Sequence, residues 1–145
     1  MLAVTLSLFG FSACNNNDDN INNNNSTETT LENSTNKEIT YEIISQTQAK
    51  DIIDNGTGYV IVDARTSEEF SEGHIKNAIN LDYEEVTQKA ESLLPDKNQL
   101  ILIYCRSGRR SKIAAESLCQ LGYTNVKEFG GIIDWQYEVV QDDAQ

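Results

Sequence analysis

The stretch that most limits what this chain can become is Leu100-Ile101-Leu102-Ile103-Tyr104. Five apolar residues in succession predict a strand. It runs straight into Cys105, through a turn containing Gly108, and into a helix predicted over 110–121 that Gly122 closes. A strand that hands the chain directly to a helix belongs to an alternating architecture, and the rest of the sequence repeats the pattern.

Ile39 to Ile44 is rich in β-branched and aromatic residues and predicts a strand. Ser45 and Gln48 have the spacing of a capping box, opening a helix through Ile52 and Ile53 that stops at Asn55-Gly56. Tyr59 to Asp63 is a short apolar run of the kind buried on both faces of a parallel sheet. Thr66 and Glu69 form a second capping box for a short helix ending near Gly73. Ala78 to Leu81 predicts a strand, Glu84 to Leu94 a helix stopped by Pro95, Asn125 to Phe129 a strand, and Ile132 to Val140 a last helix. The expected fold is α/β and doubly wound, with a mostly parallel central sheet and helices on both faces. Active sites of such sheets lie beyond the carboxyl ends of the strands, where Cys105 sits.

The 145 residues suffice for one domain, and the composition shift places it at 39–145. Residues 1–13 read as a secretory signal: Leu2 to Ala13 is apolar but too short to remain as a spanning helix. Phe11-Ser12-Ala13-Cys14 resembles a bacterial lipobox, in which the chain is cut before the cysteine and Cys14 is lipidated. No Lys or Arg precedes the run, which leaves open a start upstream of Met1. Residues 14–38 then read as a lipidated Cys and a disordered tether, because Asn15 to Asn36 is dominated by Asn, Ser and Thr and holds four acidic residues but no cation. The expected location is extracytoplasmic, in a bacterial cell envelope, held to the membrane through the lipid anchor only.

A net charge of −12 argues against nucleic acid as a partner. Yet four of the eleven cations, Arg106, Arg109, Arg110 and Lys112, lie within seven residues. One basic spot on an acidic chain suits a small anion. The cysteine beside it is placed where successive backbone amides converge at a helix start, with Gly108 free to adopt angles that let them curl into an anion nest. Such surroundings favour a thiolate over a thiol of ordinary pKa, about 8.5. A cysteine that merely fills space leaves the crowding of Arg residues without a reason.

Cys105-Arg106-Ser107-Gly108-Arg109-Arg110-Ser111 resembles the active-site loop of the rhodanese (thiosulfate sulfurtransferase) family. Ile61 to Arg65 is similar to that family's aspartate-bearing strand, Glu72 to Asn80 to its Gly-His-Ile motif, and Gly130 to Trp135 to its closing glycine pair and tryptophan. The resemblance implies a rhodanese-like single domain with Cys105 as nucleophile. A sulfane sulfur from a small anionic donor such as thiosulfate would pass to Cys105 as a persulfide, then to cyanide, a thiol or a protein acceptor. Arg106, Ser107, Gly108, Arg109 and Arg110 would bind the substrate, Asp63 and Arg65 would support the loop, and no cofactor is required. A monomer is expected. His74 is the only histidine, which excludes a multi-histidine metal site; no metal is expected. His74 reads as structural, Trp135 as core, and Cys119 as a partly exposed bystander too far along the helix to pair with Cys105. Two other readings stand beside the enzyme: a persulfide carrier or sensing module with little turnover, and a phosphatase or arsenate reductase. The six residues from Cys105 to Arg110 weigh against the last pair, whose loops resemble this one but are one residue longer.

The N-terminal reading predicts that Cys14→Ala moves the full-length protein, expressed in a bacterium, from the membrane fraction to the soluble one with loss of acyl mass. Unchanged partitioning and mass would refute it.

Overall fold

The computed structural model describes residues 40–141, so the expected signal, the expected tether and Cys14 lie outside the described residues. The elements follow in the order β1 (Glu42–Ile43), α1 (Gln46–Asn55), β2 (Tyr59–Asp63), α2 (Ser67–Glu72), β3 (His74–Ile75) and β4 (Ala78–Asn80). Then come α3 (Val86–Leu93), β5 (Leu100–Cys105), α4 (Arg109–Gln120), β6 (Val126–Gly131), a 3-10 turn (Ile132–Asp134) and β7 (Val139–Val140). Both capping boxes are formed. Ser45 Oγ accepts from the Gln48 amide at 3.1 Å while Gln48 Oε1 accepts from the Ser45 amide at 2.9 Å. Thr66 and Glu69 make the same reciprocal pair at the head of α2, both bonds at 3.3 Å.

Five strands form one parallel sheet in the order β1-β6-β5-β2-β4. The side chains of β5 alternate between two cores, as strand geometry requires. Ile101, Ile103 and Cys105 face α3 and α4, packing with Val86, Ala90, Ala114 and Leu118. Leu102 and Tyr104 face the other way, towards Ala49 of α1, Phe129 and Trp135. Helices on both faces force β5 to be apolar throughout, which is why that stretch reads so plainly as a strand.

Three expectations are corrected. The last helix, Ile132 to Val140, is not formed: after the 3-10 turn the chain extends and β7 pairs antiparallel with β3. The apolar residues that suggested a helix there split instead, Trp135 inward and Ile133 and Val139 outward. The first strand shrinks to Glu42–Ile43, because only its neighbour β6 offers pairing partners at that edge. On α4 the buried stripe is Ser111, Ala114, Ala115, Leu118 and Cys119, whereas Ile113 is exposed; Cys119 is core, not a bystander at the surface.

The carboxyl end of β2 is clamped by a buried ion pair. Asp63, fully buried, accepts from the Arg65 backbone amide at 3.0 Å and from Arg65 Nη2 at 2.6 Å. Arg65 Nη2 also donates to the Gly73 carbonyl at 2.6 Å, and Asn80 Nδ2 ties to the Arg65 carbonyl at 2.8 Å. One pair thus fastens the ends of β2, α2 and β4. Removing one member of a buried pair strands the other charge, a loss of about 3–5 kcal/mol. Asp63→Ala is expected to lower the unfolding free energy, measured by denaturant titration, by an amount in that range; a change under about 0.5 kcal/mol, the level of an ordinary surface substitution, would contradict the clamp.

Candidate active site

Cys105 ends β5, and the chain then reverses at once. Gly108 takes φ +90°, a left-handed conformation open to glycine at little cost, and caps α4. The helix begins at Arg109, one residue before the start expected at Arg110, because Gly108 completes the turn by itself. The reversal folds the loop amides back over the sulfur: the Gly108 N–H donates to Cys105 Sγ at 3.1 Å. Burial alone would raise the thiol pKa. Hydrogen bonds from the Ser111 hydroxyl and from the amides of Ser111, Ser107 and Gly108 outweigh it, and the thiol lies below its ordinary value.

The loop is propped from behind by β6. The β5–β6 register pairs Ile103 with Glu128 but Cys105 with Gly131, so β6 carries an irregularity there, with Gly130 at φ +96°. This turns Gly131 against the loop, so that a Cβ on it would strike the Arg106 carbonyl and come within 2.6 Å of Ser107 Cα. The Ile133 N–H donates to that same carbonyl at 3.2 Å.

The arginines divide into two sorts. Arg106 and Arg109 are exposed, as is Ser107. Arg110 is half-buried and committed: Nη1 and Nη2 donate to the two carboxylate oxygens of Glu69 at 2.5 and 2.7 Å. That fork holds the Glu69 pKa at about 2 despite partial burial. The pair bridges α2 to the start of α4 beside the loop.

Two partners of the loop were missed in the sequence. Glu69 was assigned only its capping duty, although its carboxylate serves both Thr66 and Arg110. Glu128 is 1% exposed and accepts from Ser111 Oγ at 2.7 Å and from the Gly130 amide at 2.9 Å. Its signal was an acid between Val126 and Phe129 in an inner strand, where a buried charge needs a reason. Asp63 and Arg65 are turned towards each other and Gly73 in the clamp already described. Burial and the Asp63 carboxylate push the Tyr104 phenol up, and its oxygen accepts from the Ile75 amide at 3.1 Å. His74 is buried, with Nδ1 3.1 Å from the Phe70 carbonyl and its ring stacked on that of Phe70. Trp135 is buried against Phe129. Burial and Glu116 raise the Cys119 thiol, the reverse of the case at Cys105.

Fold and loop together define a class: α/β proteins that hold a cysteine sulfur in a turn of amides at the end of the central strand. Within it, the chain belongs to the rhodanese-like domain family, whose model matches residues 45–138. It is 38% identical over 73 residues to thiosulfate sulfurtransferase PspE of Escherichia coli K12, covering 50% of this chain and 70% of that protein. It is 33% identical over 93 residues to the putative sulfur carrier protein YrkF of Bacillus subtilis 168, covering 63% of this chain and 49% of that one. Among solved structures, a rhodanese with anions from E. coli superposes with TM-score 0.54 at 35% identity, over 57% of this chain and 98% of that one.

If Gly131 lets the loop sit where its amides reach the sulfur, Gly131→Ala should displace those amides and weaken their hold on the thiolate. The pH midpoint for alkylation of Cys105 is expected to rise, with far-ultraviolet circular dichroism unchanged. A folded variant with the wild-type midpoint would contradict this role for β6.

Proposed function

We propose that this domain is a sulfurtransferase that carries a sulfane sulfur on Cys105. The Cys105 thiolate attacks the outer sulfur of thiosulfate; a new S–S bond forms, the old one breaks, and sulfite leaves with its electron pair. A nucleophilic acceptor, cyanide in an assay and a thiol or protein in the cell, then attacks the outer sulfur of the persulfide and restores the thiolate. The observation that carries this reading is the 3.1 Å contact from the Gly108 amide to Sγ, within a loop whose hydrogen bonds outweigh the burial of the thiol. The same amides would cradle the charge of the outer sulfur once Cys105 is loaded. The anions in the superposed E. coli rhodanese support an anionic donor for this chain as well.

The donor's sulfonate would be met by Arg109 and Arg106, because Arg110 is spent on Glu69. That allocation also weighs against a phosphatase, which needs several donors placed around the equatorial oxygens of the transferring group. A carrier reading is favoured by the likeness to YrkF and differs in kinetics, not in chemistry. We place the domain outside the cytoplasm on the lipid anchor that Cys14 would provide.

Mass spectrometry of the protein treated with thiosulfate is expected to show one added sulfur on Cys105 and none on Cys119. Thiocyanate formation should vanish in Cys105→Ser. Arg109→Ala should cut kcat/KM for thiosulfate by about ten- to a hundredfold, the worth of one charge-assisted hydrogen bond. Loading without turnover for any small acceptor would select the carrier. Cys105-dependent release of phosphate from an aryl ester, as fast as thiocyanate formation, would overturn the assignment.

A further inference from the structure

Of the arginines that crowd the loop, Arg110 is the one withheld from solvent. Its Nη1 and Nη2 donate to the two carboxylate oxygens of Glu69 at 2.5 and 2.7 Å, and the two side chains are only 17% and 27% exposed. A bidentate fork of this kind occupies both ends of the guanidinium and offsets its charge. Partial burial also shields the pair from salt. Glu69 is fixed in turn, because its carboxylate accepts from the Thr66 amide at 3.3 Å in the capping box of α2. The fork holds the Glu69 carboxyl at about 2, so the pair stays charged at any physiological pH.

Arg110 is withheld at a place where it would otherwise act on the loop. The Gly108 amide touches Cys105 Sγ at 3.1 Å, and Arg110 stands two residues further on. Consecutive Cα atoms are about 3.8 Å apart, so Arg110 Cα lies within about 8 Å of that of Gly108. A guanidinium released from Glu69 is therefore close enough to close over an anion seated on the loop amides. Amides in a turn together with a bidentate arginine make a receptor for tetrahedral oxyanions. A plain oxyanion bound there would block Cys105 without offering it a sulfur.

We propose that Glu69 is a specificity-determining residue: by occupying the Arg110 fork it keeps the loop from becoming a general oxyanion receptor, so that inorganic phosphate does not compete with a sulfur donor. The inference rests on the proposed sulfur transfer for its purpose, though not for its test. A donor such as thiosulfate needs little from Arg110, since its outer sulfur goes to Cys105 and its sulfonate to the exposed Arg106 and Arg109. Phosphate has no such sulfur and depends on donors around its oxygens. Withholding a bidentate donor therefore weakens phosphate more than it weakens the sulfur donor. Selectivity here comes from refusing the wrong anion as well as from holding the right one.

The test uses the full-length protein, with inorganic phosphate as the probe at constant ionic strength so that screening does not vary. The quantity measured is the phosphate concentration that halves the rate of Cys105 alkylation. Glu69→Gln offers Arg110 one uncharged oxygen in place of a carboxylate. It leaves α2 capped, because Gln48 already serves the same kind of box with Ser45 at the head of α1. The half-protecting concentration is expected to fall about tenfold, the worth of one charge-assisted hydrogen bond. In an Arg110→Gln background, adding Glu69→Gln should give a much smaller gain, because no guanidinium is there to be released. An unchanged concentration in folded Glu69→Gln overturns the proposal, as does a gain of the same size without Arg110. Should Glu69→Gln fail to fold, Glu69→Ala carries the test, since Thr66 Oγ1 accepts from the backbone amide of residue 69 whatever its side chain; no gain there is equally fatal. Alkylation does not require sulfur transfer, so wild-type protein that never loads sulfur from thiosulfate refutes the proposed function, while the phosphate data decide on Glu69 by themselves.

Discussion

A buried sulfur is a poor place for negative charge, and the arrangement around Cys105 is built to reverse that. Burial opposes the thiolate, while the amides of Ser107, Gly108 and Ser111 and the Ser111 hydroxyl favour it and prevail. For two loop amides and one from the first turn of α4 to converge, the chain must double back within three residues of the strand end. Gly108 at φ +90° achieves this, and its amide lands 3.1 Å from the sulfur. The rest of the fold serves that turn. β5 is central and apolar, so its end is fixed from both faces; α4 begins directly after the turn; β6 breaks its register so that Gly131 can lie against the loop backbone.

Charge around the loop is allocated rather than merely accumulated. Three arginines within five residues would repel one another and attract anions without discrimination. Arg110 is neutralised by the two oxygens of Glu69, which leaves Arg106 and Arg109 open to solvent on the loop's outer side. Glu128 places a carboxylate behind the loop, where it accepts from Ser111 Oγ and the Gly130 amide. Positive charge therefore stands on the solvent side of the loop, and the Glu128 carboxylate behind it.

Much of this was legible in the sequence, for physical reasons. β2 and β5 stood out because helices on both faces leave no polar side, and the two capping boxes because Ser45/Gln48 and Thr66/Glu69 solve a local problem with local residues. The six-residue span from Cys105 to Arg110 and the glycine within it announced the turn. What stayed hidden depends on partners distant in sequence. Ile132 to Val140 has apolar spacing that a helix would satisfy, yet β3 offers a strand partner and the chain takes it. Cys119 falls inside α4's buried stripe because α3 and Tyr123 pack on that side, which the helix's own pattern does not reveal. The Arg110–Glu69 fork spans 41 positions and the Ser111–Glu128 bond 17, and neither pairing has a local signature.

The central claim is that the loop amides hold a sulfur-centred anion. A crystal structure of thiosulfate-treated protein tests it most directly. The account predicts a persulfide on Cys105 whose outer sulfur lies within hydrogen-bonding distance of backbone amides between Arg106 and Arg110, with the Gly108 turn unchanged. An outer sulfur pointing away from those amides, or a loop that must refold to admit it, would contradict the account.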